Sequence, residues 1–138
     1  MTRAARCALL LALAAPLAAA AAGCGDTLDA RHRLEAASAR HRVAFVPQPA
    51  PLAAGRHFSL DLVVCPQGDA SLPLALRVDA DMPAHRHGMN YRPTVRALGD
   101  GRYRVDGLLL HMPGRWRFVF DLSADGRLER LTREVDVE

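Results

Sequence analysis

From Val43 onward apolar and polar residues alternate with a period of two, the pattern of half-buried β-strands. Val43 and Phe45 open a first run, stopped by Pro47, Pro49 and Pro51. Phe58, Leu60, Leu62 and Val64 alternate with Ser59, Asp61 and Val63 in a second, ended by Cys65-Pro66-Gln67-Gly68-Asp69. A third sets Leu72, Leu74, Leu76, Val78, Ala80 and Met82 on one face and Arg77, Asp79 and Asp81 on the other, with Pro73 marking a strand start or an edge. Thr94 to Leu98 make a fourth, closed by the hairpin signal Gly99-Asp100-Gly101. Tyr103, Val105, Leu108, Leu110 and Met112 make a fifth, and Asp106-Gly107 within it reads as a bulge because the apolar phase resumes afterwards. Trp116, Phe118, Phe120 and Leu122 form a sixth, and Leu131, Val135 and Val137 a seventh. Seven short strands at nearly regular spacing predict an all-β fold, an antiparallel immunoglobulin-like β-sandwich over residues 43–138. No strong helical period follows residue 42, which argues against α/β folds.

The first 42 residues break this pattern. Arg3 and Arg6 precede an apolar run from Cys7 through Ala22, the form of a secretory signal peptide over residues 1–23. The run is interrupted by Pro16 and is short for a membrane span, which needs about 20 apolar residues. Ala21-Ala22-Gly23-Cys24 resembles a lipobox, with Ala21 where leucine is usual; cleavage there would leave Cys24 to carry lipid. Ordinary cleavage nearby would instead leave Cys24 a free thiol. With Cys7 removed and Cys24 lipidated, Cys65 stands alone and no internal disulfide is expected. Residues 24–42 are polar and alanine-rich, without a stripe of large apolar residues, and read as a flexible tether in which His32 and His41 are solvated. This places the domain outside the cytoplasm, held at a membrane surface through Cys24.

Charge narrows the partners. The formal net charge of +3 includes Arg3 and Arg6, so the processed chain has 16 basic residues, all arginine, against 15 acidic ones. The arginines are interspersed with acids rather than massed, so nucleic acid is not indicated as a partner.

The chemistry lies in two short runs, Met82-Pro83-Ala84-His85-Arg86-His87-Gly88-Met89 and His111-Met112-Pro113. They hold every methionine except Met1 and three of the six histidines. Thioether and imidazole together suit copper, above all Cu(I). The third and fifth strands run the same way in an up-and-down succession, so the runs should meet at one pole. The candidate ligands are His85, His87, Met89, His111, Met112 and Met82. The bland alternative makes Met82 and Met112 lids of the core, with the histidines hydrogen-bonded in a tight turn. Cys65, at the end of an opposed strand, should lie at the other pole as a structural or idle thiol. It precedes Pro66 and has no evident base, so a Cys-His nucleophile and an enzymatic role are not expected.

Asp79 to Met89, Pro93, Gly99 to Tyr103 and Leu108 to Trp116 resemble the YtkA-like domain family, the similarity covering roughly Arg56 to Leu122. The ordered M-P-x-H-x-H-x-M and H-M-P-G-x-W runs carry it. The family includes secreted and lipid-anchored bacterial proteins and is similar to domains found with copper-uptake proteins and to FixH-type membrane proteins of cytochrome oxidase assembly. The resemblance implies a small β-sandwich and copper handling. The functional expectation is therefore a copper-binding carrier at an extracytoplasmic membrane surface, with a copper-accepting membrane protein as partner. The competing expectation is an interaction domain whose His/Met loop docks a membrane partner without metal.

Overall fold

The computed structural model describes residues 23–138; the signal-peptide expectation for residues 1–23 lies almost wholly outside them. All seven expected strands are present, with two more. In chain order they are β1 (Leu34–Ala37), β2 (His41–Gln48), β3 (His57–Pro66), β4 (Ala75–Met82), β5 (His87–Gly88), β6 (Thr94–Gly99), β7 (Arg102–Leu109), β8 (Gly114–Ala124) and β9 (Arg127–Val137). A single 3-10 turn, Pro83–His85, joins β4 to β5. Two antiparallel sheets form an immunoglobulin-like sandwich, one ordered β1-β2-β3-β7-β6 and the other β5-β4-β8-β9.

The alternation places large side chains between the sheets. Phe45, Leu60, Leu62, Val105 and Leu108 face Val78, Met82, Trp116, Phe118 and Phe120, all at 2% exposure or less. Phe45 meets Phe118 and Phe120 at ring-centre distances of 5.3 and 4.9 Å, in tilted and edge-to-face contacts that aromatic quadrupoles favour. The bulge expected at Asp106-Gly107 is present. Phe58 faces Leu108 while Leu60 faces Val105, so β7 uses one residue more than β3, and Gly107 takes a φ of 84° there. The outer face of the β4-β8-β9 sheet carries paired charges, with Arg117 held by Asp81 at 2.9 and 2.7 Å and Arg130 by Asp121 at 2.7 and 2.9 Å.

Three expectations are corrected. Residues 24–42 are not a flexible tether. Cys24 is bonded to Cys65 with a Cα–Cα distance of 5.9 Å, Gly25 packs against the Cβ of Ala44, and β1 pairs with β2 from Leu34↔Phe45 to Ala37↔Arg42. Short alanine-rich segments fold here because a neighbouring strand and a covalent bridge supply what their own side chains lack. The disulfide also overturns the reading of Cys65 as an unpaired thiol. Lipid on Cys24 and this bond are alternative fates of one sulfur.

The second correction concerns β4, which starts at Ala75, leaving Leu72 and Leu74 in the loop at 43% and 92% exposure. Tertiary bonds fix that loop with Pro73 buried and the two leucines turned outward, the Leu74 amide donating to the Ser123 carbonyl at 2.8 Å. Ser71 donates its amide to Asp125 and its carbonyl accepts from His41, while the Tyr103 hydroxyl bonds the Pro73 carbonyl. The third is His41, which is 1% exposed rather than solvated, its Nδ1 2.7 Å from Glu129 Oε2 and its Nε2 2.9 Å from the Ser71 carbonyl. His32 does sit on the surface, beside Asp29.

Candidate metal centre

β4 ends and β8 begins at one pole, where β7 also delivers the segment that leads to His111. After Met82, Pro83 starts the 3-10 turn with its ring-fixed φ, which suits a first helical position. Arg86 then takes the left-handed conformation (φ 54°) and sends the chain straight back. The return is short enough that His87 pairs with Met82 and Gly88 with Asp81, and the Met89 amide donates to the Ala80 carbonyl at 2.8 Å. His87 is thereby held over the end of β4 instead of in a free loop.

His111 follows β7 in the opposite sheet and meets His87 at 5.0 Å between ring centres. His85 is 5.7 Å from His87 on the other side, so the three imidazoles form a row. Trp116 lies beneath the pair, fully buried, its ring 5.9 Å from His87 and 5.3 Å from His111 in edge-to-face contacts. Its indole N–H donates to the Met112 carbonyl at 2.9 Å, which anchors the Met112-Pro113-Gly114 turn. Gly114 (φ 129°) closes the floor; a Cβ there would come within 2.8 Å of Met82 Cε.

The thioethers are less united than the imidazoles. Met82 is a core lid at 2% exposure. Met89 points inward at 8% exposure, and its Sδ accepts the Leu109 amide at 3.5 Å, tying the β5 turn to the opposite sheet. Met112 is partly buried at the rim, packed against the core cluster. His85 and His111 are exposed and His87 is half-buried, and of the three only His87 lines an open cleft of about 550 Å³ with Met82, Asp81, Arg86 and Arg117. The Asp81 bonds hold the Arg117 guanidinium above its usual pKa, so that charge is fixed and locally neutralised. Cys65 lies at the far pole, as its strand direction implied, and takes no part.

Of six candidate ligands the fold thus gathers His85, His87 and His111, leaves Met112 beside them, and turns Met82 and Met89 into the interior. Among the described residues no three His, Cys, Asp or Glu side chains already close on one point. Trp116 was legible as a strand residue and as the end of the H-M-P-G-x-W run, not as part of the site. Its spacing from His111 and Gly114 was the available signal that it also floors this pole.

Fold and pole together define an immunoglobulin-like β-sandwich with a histidine-rich end. Among known proteins, no family model, no curated protein and no solved structure matches the chain.

Proposed function

We propose that this protein is an extracytoplasmic copper-binding module that buffers or carries the ion at its histidine pole. The spacing of His87 and His111 is the observation that carries the reading. With nitrogens about 2.0 Å from an ion and each ring centre about 1.1 Å further back, two imidazoles on one ion have centres about 4.4 Å apart at the right angle of a tetragonal ion and about 5 Å apart at a tetrahedral angle. The 5.0 Å between His87 and His111 is within reach of a shared ion, whereas His85, 5.7 Å from His87 on the far side of the row, must swing inward to join it. His85 is exposed on its turn and can rotate to complete the set. An open cleft beside the ligands suits a carrier, which must release its cargo to an acceptor protein. The likeness of the two His/Met runs to the YtkA-like family supports the same direction, and the Cys24–Cys65 bond supports an oxidising compartment.

Copper titration of the folded domain, with the stoichiometry read by competition against a chelator of known affinity, tests this reading. One ion per chain is expected, together with non-additive losses when His87→Ala and His111→Ala are combined, because ligands of one ion are coupled. Strictly additive losses would mean two independent weak sites.

A second reading, a metal-free interaction domain, draws on a different surface. β4 has a strand neighbour beyond β8 only at Asp81 and Met82, and β6 is the open edge of the other sheet on the same side. Leu72, Leu74, Tyr91 and Leu98 are exposed near that gap. An unguarded edge flanked by apolar side chains fits strand addition by a partner. A domain that binds no copper yet has its β4 amides protected from hydrogen exchange by a membrane partner would favour this reading.

A further inference from the structure

Resting on the copper reading above, we infer that the ion this pole selects is the divalent one, Cu(II), held by His87, His111 and His85, and that Met82 and Met89 are not ligands. This reverses the Cu(I) preference that the methionine-rich sequence runs imply. The reversal follows from where the sulfurs lie. Met89 Sδ is engaged by the Leu109 amide at 3.5 Å, and turning it outward would strip a buried N–H of its partner. Met82 is held under Gly114, with its methyl filling the space a Cβ would take. Its sulfur reaches solvent only if the lid of the core lifts. Two of the three soft donors are therefore structural.

What faces water is imidazole, with Met112 alone at the rim. Thioether-rich sites select Cu(I), whereas imidazole nitrogen serves divalent ions, among which copper binds most tightly at a given nitrogen site. His87 is also prepared for this. Its Nδ1 lies 3.4 Å from the Gly88 carbonyl, and with the proton on Nδ1 the Nε2 lone pair is left for an ion. Asp81, the nearby carboxylate, is taken by both ends of the Arg117 fork. The first ligands are thus imidazole nitrogens, with water filling the remaining positions. Trp116, the one tryptophan of the chain, lies against the two central rings and reports on the ion directly.

Parallel titrations of the disulfide-intact protein with Cu(II) and, anaerobically, with Cu(I) test the inference, each metal buffered by a competing chelator. Trp116 emission is followed, and the copper absorption edge fine structure of both loaded forms is recorded. Cu(II) should bind at one per chain and quench Trp116 emission by more than half, with nitrogen and oxygen neighbours and no sulfur in the scattering. His87→Ala and His111→Ala should each weaken Cu(II) by a hundredfold or more. Met89→Leu and Met82→Leu should change Cu(II) affinity by less than threefold. Sulfur scattering in the wild-type Cu(II) form, or a Cu(I) affinity above that for Cu(II) that falls tenfold in Met89→Leu, would overturn the inference while copper binding stands. The wild-type scattering decides the matter even where a methionine variant fails to fold. If neither oxidation state binds, the copper reading itself falls.

Discussion

Breaking the Cys24–Cys65 bond gives the sharpest test of how this domain is built. The two cysteines are 41 residues apart in sequence, and the bridge closes a loop that contains β1, β2 and most of β3. In the chain-entropy picture, closing a loop of that length removes about 13 cal/mol/K from the unfolded ensemble, about 4 kcal/mol at 25 °C. The bridge also holds the 24–33 segment on the sandwich, where Gly25 packs on Ala44 and the Arg33 guanidinium donates to the Gly25 carbonyl at 2.9 Å. The Cys24→Ser/Cys65→Ser double variant should therefore lose about 4 kcal/mol, which in a domain of this size lowers the melting temperature by roughly 15 °C. Guanidinium unfolding of oxidised and reduced wild type, read by Trp116 emission and far-ultraviolet dichroism, measures the difference. Because the break is far from the histidine pole, copper affinity of the folded variant should stay within threefold. Equal unfolding midpoints for oxidised and reduced protein would refute the reasoning. So would alkylation of Cys24 and Cys65 in denatured, unreduced protein. A mass spectrum with diacylglycerol on Cys24 and one alkylatable thiol at Cys65 would establish the other fate of that sulfur.

Three further outcomes are expected. Gly101→Ala should cost roughly 2 kcal/mol or more in denaturant unfolding, because its Cβ would sit 2.4 Å from the Val64 carbonyl oxygen at a φ of 73°. His41→Ala should cost roughly 2–4 kcal/mol by the same measurement, since it leaves Glu129 and the Ser71 carbonyl without their buried partner. Stability should fall in acid: burial raises the Glu129 pKa, but hydrogen bonds from Ser38 and His41 outweigh it and the net shift is downward from 4.5. A carboxylate depressed in the folded state stabilises above its unfolded pKa and loses that contribution as pH falls through the folded value. Melting temperatures should thus drop as pH is lowered below 4.5, and less steeply in Glu129→Gln; parallel curves for the two proteins would remove Glu129 from the account.

The period-two pattern was enough to place seven strands, the Asp106-Gly107 bulge and the shared pole of the two His/Met runs, because alternation dictates facing and successive antiparallel strands dictate direction. The same local logic failed wherever a contact between distant segments outweighed it. Leu72 and Leu74 continue the alternation of β4, yet His41, Tyr103 and Asp125 fix their loop with Pro73 inward and the leucines outward. His41 is an ordinary polar residue in sequence and became buried because Glu129, 88 residues on, meets it. Cys24 and Cys65 carry no sign of each other; only the pairing of β1 with β2 and β2 with β3 brings them together. The site divides the same way. The two His/Met runs and the strand directions determined that imidazole and thioether would be the available donors at one end of a sandwich. Which of them face water was decided by tertiary packing, since a methionine two residues from a histidine can serve a core as well as an ion. Here the demand of a buried Leu109 amide and the gap over Gly114 claimed two of the sulfurs for the interior.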